Sequence, residues 1–378
     1  MRVGIHRAGV VCAAGSGLSA LRQALADPLF APTRTLPRPD APPLPAATCP
    51  EGEGKGVLPP LVARRLDRAS RLLAVAARQA LAVEDPLPWP PEAVGVAMGT
   101  WTAGTSPLLD ILQAVFTHGP EQAPPMHFPN SVANAPASQL GILHRLAGPN
   151  LTFFEKQAGG LRAVVEAWRI LRAGKAQAMV VGGVDEAQWL NAEAFHRLRA
   201  LARDQRPGFT LGEGAVAMLL AADAPVALLG AGGAGSPCPS HLYPPTPTGL
   251  VAACRRALDE AGLGPEEVEL VVSLANGNPH LAQLEASALS ELFPLHRPAI
   301  LGSLSQRLGE GAFASALRLL VAAAMLQEPW PVTWPVASPL QALGFPPLAP
   351  SDRPRTALVT AVAGGGSCLA AVLGRVAP

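Results

Sequence analysis

Short, wholly apolar runs alternate along this chain with longer stretches whose apolar residues recur at three- and four-residue spacing. The runs are the mark of buried strands, and the spaced stretches of helices laid against a sheet. Val94–Met98 reads as a strand and Pro107–Thr117 as the helix after it. Ser131–Leu146 reads as a helix, Asn150–Phe154 as a strand and Gly160–Ala173 as a helix closed by Gly174. Ala178–Val181 is then a strand running into Gly182-Gly183. The theme repeats with strand Val226–Leu229, helix Thr248–Ala261, strand Val268–Leu274 and helix Leu281–Leu292. Strand Ala299–Leu301, helix Ala312–Leu326 and the strands Ala357–Val362 and Cys368–Leu373 complete it. Two βαβαβ-type runs predict an α/β protein of stacked layers, with halves at 1–224 and 225–378. No short repeat is visible, so the duplication rests on element order alone.

Proline punctuates this pattern. Many of the 41 prolines fall in Asp27–Pro60, which reads as an irregular surface excursion, and in the shorter loop Ser236–Pro247. Pro329–Pro350 interleaves Pro and Trp and reads as a long surface loop before the last strands.

Composition narrows the class. Of 378 residues, 49% are hydrophobic and only 15% charged, which calls for a large core, extensive subunit contact, or both. A net charge of +1 gives no electrostatic case for nucleic acid or an anionic membrane. The five cysteines (Cys12, Cys49, Cys238, Cys254, Cys368) lack paired spacing and read as free thiols in a reducing compartment. Without a secretory leader pattern or an apolar run long enough to span a bilayer, the expectation is a soluble cytoplasmic protein.

Chemistry enters through an ordered set of motifs. Gly148-Pro149-Asn150-Leu151-Thr152 precedes Gln157 and a helix start, and Gly182-Gly183-Val184-Asp185-Glu186 follows. Then come Asp204-x-x-x-Gly208-Phe209-x-x-Gly212-Glu213-Gly214-Ala215, Gly302-Ser303, Leu308-Gly309 and Gly364-Gly365-Gly366-Ser367. In this order, over essentially the whole chain, they resemble the ketosynthase (condensing-enzyme) family. The resemblance implies the thiolase fold, two similar halves in an α-β-α-β-α layered sandwich, and an obligate dimer. It implies no bound cofactor: the acyl chain arrives on the phosphopantetheine of an acyl carrier protein.

That family uses a cysteine nucleophile at a helix N-terminus and two histidines that stabilise an enolate. By the resemblance, each position differs here. Glu155-Lys156-Gln157-Ala158-Gly159-Gly160 puts Gln157 at the cysteine. The first histidine falls at Asn276, followed by a helix carrying Glu285, and the second falls at Glu310, with Ser305 at a lysine position. An amide offers no nucleophile, though its oxygen could accept from backbone N–H groups, and an ionised Glu310 would oppose an enolate. The resemblance therefore points to no catalytic residue.

Glutamine-bearing relatives are of two kinds. Decarboxylases of loading modules keep both histidines, whereas chain-length factors of type II polyketide synthases lose the whole set and pair with an active ketosynthase. The missing histidines and the stretch Glu155–Leu161 resemble the second kind. A malonyl-carrier-protein decarboxylase and an acyl-chain binding or scaffold subunit remain alternatives, as do aromatic polyketide and aryl polyene pathways. In chain-length factors a helix at the dimer seam closes the tunnel that holds the growing chain. Thr105, Leu108 and Leu112, spaced i, i+3, i+7, are the gating positions by resemblance, with Phe116 on an adjoining face; ordinary core packing is the competing reading.

Other features carry less. Trp101 and Phe128 are expected to support the seam, and His118, His127 and His144 lack metal-ligand spacing. His280 lies too far from Asn276 to be a displaced catalytic histidine, and Asp185 and Glu186 read as structural. Arg64, Arg65, Arg68 and Arg71 form a basic patch that could meet an acidic carrier protein or could simply be a solvated face.

Overall fold

The structure is a computed structural model that describes residues 2–376 apart from 32, 53, 55, 82–86, 204 and 205. Asp204, part of one motif above, lies outside the described residues.

Ten core strands run β1 Val3–Cys12, β2 Val94–Gly99, β3 Asn150–Phe153, β4 Ala178–Asp185, β5 Gly214–Ala222, β6 Val226–Gly235, β7 Leu270–Val272, β8 Ala299–Leu301, β9 Thr356–Val362 and β10 Ser367–Arg375. In space they lie in the order β3-β2-β4-β5-β1 and then β6-β10-β9-β7-β8. Each half follows one rule. Its second strand pairs parallel with the third and fourth, and the fifth pairs antiparallel with the fourth and first. The duplication invisible in the residues is therefore explicit in the topology. The halves join where β1 and β6 pair antiparallel, Gly4 opposite Ala227 and Ile5 opposite Val226.

Seven helices build the layers: α1 Arg68–Leu81, α2 Thr105–His118, α3 Ala135–His144, α4 Gly159–Arg172, α5 Thr248–Ala261, α6 Pro279–Leu292 and α7 Ala312–Gln327. Helices α1 and α3 cover one outer face, α5 and α6 the other, and α4 and α7 fill the middle. Fourteen of the sixteen residues of α7 are buried, which its all-round apolarity requires. The two central helices meet at their N-termini, where a Cβ on Gly160 would lie 2.4 Å from the Ala312 carbonyl oxygen. Only glycine allows that approach. Layers, sheet pattern and central helix pair are those of the thiolase fold.

Several expectations need correction. Asp27–Pro60 is not merely irregular: Thr33–Arg38 and Ala41–Ala47 form a hairpin whose second strand pairs with Leu211-Gly212 and buries Leu44 and Ala46. Pairing at two positions only lets a Pro-rich strand join a sheet edge. Pro329–Pro350 is not a surface loop either, since Trp330, Trp334, Val336, Leu340 and Phe345 are buried and Ser338–Ala342 is helical. The helix placed at Ser131 starts at Ala135, and the strand placed over Val268–Leu274 is confined to Leu270–Val272. Strands β1 and β5 and helix α1, central to the first half, escaped the pattern reading.

Candidate functional site

Strand β3 hands the chain to α4 through a tight turn in which Lys156 takes φ 49°, a left-handed conformation unusual for a lysine. The turn aims Gln157 inward, where it is buried just before the first residue of α4. Its Oε1 accepts from the Gly364 N–H at 3.2 Å and its Nε2 donates to the Tyr243 hydroxyl at 3.1 Å. The amide thus does accept from backbone, and the donor comes from the β9–β10 turn. Lys156 Nζ pins the surrounding loops by donating to the carbonyls of Ser240 and Gly364.

Tyr243 ties the three changed positions together. Its hydroxyl also accepts from Asn276 Nδ2 at 3.0 Å, and the same amide donates to Glu310 Oε2 at 2.9 Å. The Asn276 Oδ1 is held by the Asn278 N–H and the second Glu310 oxygen by the Gly311 N–H. A continuous chain therefore runs Gln157–Tyr243–Asn276–Glu310. Tyr243 is the only tyrosine of the sequence, and it stands in the Pro-rich loop Ser236–Pro247. Reading that loop as mere connection hid it; a lone tyrosine flanked by prolines was the available signal.

The electrostatics are those of a buried, closed system. Burial pushes the Glu310 carboxyl up against the opposing pull of Arg318 and of its hydrogen bonds. It pushes the Tyr243 hydroxyl up as well, so the phenol stays neutral. Arg318, fully enclosed on α7, donates through Nη1 to Ser305 Oγ at 2.7 Å and faces both Glu310 and Glu285. Burial raises Glu285 to about 7, although the Leu274 N–H and the Ser273 hydroxyl donate to it. Two amides, a neutral phenol and an enclosed carboxyl can hold a polar group, but none is a nucleophile at neutral pH.

Asp185 and Glu186 at the end of β4 serve the scaffold. One Asp185 oxygen accepts from the N–H groups of Trp101 and Thr102, and the other from those of Ala312 and Phe313 at the start of α7. Burial raises this carboxyl while the surrounding donors oppose the shift. Because every hydrogen-bond partner is a donor and a helix N-terminus faces it, the ionised form is the one that fits. Glu186, raised to about 7 by burial, accepts from the backbone and hydroxyl of Ser106 at the start of α2.

The gating candidates occupy a different surface. Pro107 is the only buried residue of α2. Thr105 is half-buried, its hydroxyl donating to the Thr102 carbonyl, while Leu108, Leu112 and Phe116 are exposed, the last at 83%. Core packing does not explain that face, and Met126 and Phe128 extend it, each 70% exposed. Trp101 packs on Phe195 and Phe209 and lines a cavity with Gln157. His280 Nε2 donates to the Pro244 carbonyl at 2.8 Å and takes no part in the chain around Tyr243. Arg64, Arg65 and Arg71 are exposed around a cavity of about 360 Å³, whereas Arg68 turns inward to Glu213 at 3.0 Å. Arg64 and Arg65 precede α1 instead of sharing its face.

No helix among the described residues is long and apolar enough to cross a membrane, and none of their acidic, histidine and cysteine clusters could hold a metal. None of the five cysteines is in a disulfide.

Two like halves around a central helix pair define a thiolase-fold protein. Residues 55–224 match the beta-ketoacyl synthase N-terminal domain and residues 229–332 the C-terminal domain. The chain belongs to the beta-ketoacyl synthase family. It is 28% identical over 228 residues to the 3-oxoacyl-[acyl-carrier-protein] synthase 2 of Coxiella burnetii, covering 54% of this chain and 55% of that one. It is 32% identical over 269 residues to an actinorhodin polyketide beta-ketoacyl synthase 2 of Streptomyces coelicolor, covering 64% and 65%. The matches thus span between half and two thirds of these relatives. Among solved structures, the ishigamide ketosynthase/chain length factor superposes with TM-score 0.86 at 21% identity, covering 100% of this chain and 99% of that one. A ketosynthase in complex with its chain length factor from Xenorhabdus doucetiae gives 0.83 at 20%, covering 99% and 98%. At such identity the likeness is one of fold.

Proposed function

We propose that this chain is the non-catalytic, chain-length-setting partner of an active ketosynthase, working on chains carried by an acyl carrier protein. The observation that carries the reading is the Gln157–Tyr243–Asn276–Glu310 chain. The position of the nucleophile is filled by an amide whose oxygen and nitrogen are both bonded, and no histidine stands within the network. An amide at that position cannot form an acyl-enzyme, and a decarboxylase of this family would keep the two histidines whose positions hold Asn276 and Glu310 here. The exposed apolar face Leu108–Leu112–Phe116 supports a partner subunit on α2, where these side chains and Thr105 would gate the tunnel. Exposed Arg64, Arg65 and Arg71 suit an acidic carrier protein.

The test is co-expression with a ketosynthase that retains its cysteine and histidines. A stable 1:1 complex that condenses malonyl units, with product length following this chain when it is exchanged, supports the reading. Release of acetyl-carrier protein from malonyl-carrier protein by the isolated chain would overturn it in favour of a decarboxylase. A self-paired dimer that ignores the ketosynthase would favour a scaffold.

A further inference from the structure

Beside Gln157 lies a cavity of about 210 Å³ to which chain-length control gives no role. One part of its lining is aromatic. Trp101 packs on Phe195 with ring centroids 4.6 Å apart and on Phe209 at 6.0 Å, and Phe195 meets Phe209 edge-on at 5.4 Å. Tyr243, Gln157 and Leu198 also line it.

The hydrogen-bond count at Tyr243 leaves one group over. A phenol has two lone pairs and one proton. Both lone pairs are taken, by Gln157 Nε2 at 3.1 Å and Asn276 Nδ2 at 3.0 Å. Neither amide can turn over to accept the proton, because backbone N–H groups of Gly364 and Asn278 hold their oxygens. The Tyr243 proton therefore has no acceptor within the network, and Tyr243 lines the cavity.

We propose that this cavity binds a small, flat, conjugated carbonyl group, its π-face on the Trp101–Phe195–Phe209 cluster and its carbonyl oxygen accepting from Tyr243. At about 30 Å³ per water the space equals roughly seven waters, too little for an extended chain and enough for a fragment. Flat π-systems gain most against such rings. Among the described residues no carboxylate lines the cavity, and its one ammonium, Lys156, is committed to two carbonyls, so a neutral ligand fits these walls best. The group could be a free molecule or the end of a carrier-borne chain. Binding here is separate from setting product length, and each can fail without the other.

The test is titration of the purified protein with cinnamamide, a free probe, and with the cinnamoyl thioester of N-acetylcysteamine, followed by tryptophan fluorescence and calorimetry. Saturable quenching that disappears in Trp101→Leu, with affinity at least tenfold weaker in Tyr243→Phe, is expected. Because Tyr243→Phe disturbs a buried network, Leu198→Trp is the control: Leu198 is 53% exposed, so the larger ring fills the cavity from its rim. This variant should keep the wild-type melting temperature and lose binding. Equal affinity for both probes assigns a free ligand and tighter thioester binding a carrier-borne one; either supports the site. No saturable binding of either probe up to millimolar concentration, or binding unchanged in Leu198→Trp, overturns it.

Discussion

Arg318 Nη1 donates to Ser305 Oγ at 2.7 Å, so a cation from the central helix reaches the position where the family resemblance expects a lysine. That positive charge stands on α7 and faces the buried carboxyls of Glu310 and Glu285. Removing it would leave those carboxyls uncompensated. Arg318→Met should therefore destabilise the protein by about 3–5 kcal/mol, while Ser305→Ala, which loses one hydrogen bond, should cost about 1 kcal/mol. Urea unfolding gives both values. Adding Glu310→Gln to Arg318→Met should recover part of the loss, and strict additivity of the two changes would contradict the coupling.

Restoring the nucleophile alone should not restore catalysis. In Gln157→Cys the thiol would stand at the start of α4, but Asn276 and Glu310 would still offer no imidazole to the enolate. Loss of a single oxyanion donor costs about 10²–10³ in rate, so the variant should remain at least about a hundredfold below an active ketosynthase. Intact-mass analysis after incubation with an acyl-carrier protein, together with a condensation assay, checks this. Full activity would show that the histidine positions were wrongly assigned.

Legibility of this molecule was uneven for physical reasons. Elements such as Val94–Gly99, Gly159–Arg172 and Ala312–Gln327 were readable because a buried parallel strand or a wide apolar helix face leaves a strong pattern. Strand β1 was not, since His6 and Arg7 interrupt its apolar run where the register with β5 shifts. Proline-rich stretches read as surface because their backbone is poor in N–H donors, yet their Trp330, Trp334 and Leu44 fill the core. At the site, Gln157, Asn276 and Glu310 could be placed by motif order. Tyr243, which joins them, could not, because 86 residues separate it from Gln157 and only tertiary folding brings them together.

The exposed row on α2 sets a prediction about product length. Leu108 and Leu112 are 43% and 38% exposed, so replacing them disturbs little of this chain's own core. With the partner seated on that face, Leu112→Ala should open the tunnel and lengthen the product, whereas Leu108→Trp should shorten it. Stability of the isolated chain should change by no more than about 0.5 kcal/mol in either case. Mass spectrometry of products from the reconstituted pair is the readout, and an unchanged distribution in both variants would remove α2 from the gate.

Stability should also carry a pH signature from Glu285. Its carboxyl is raised from 4.5 to about 7, first by burial, so the folded state holds a proton that the unfolded chain releases near 4.5. A group raised in this way favours the folded state fully below the unfolded value. That contribution is lost as pH climbs from about 4.5 through about 7, to an extent of order 3 kcal/mol. Glu285→Gln keeps the size and can still accept from the Leu274 N–H, but it does not titrate. Its melting temperature should fall less steeply than the wild type's between pH 5 and 7, with the difference largest at the upper end. Glu186, raised to about 7 as well, titrates in the same window and limits the flattening, so Glu186→Gln with Glu285→Gln should be flatter than either alone. Parallel melting curves for all four proteins across that window would mean that neither carboxyl is protonated in the folded state.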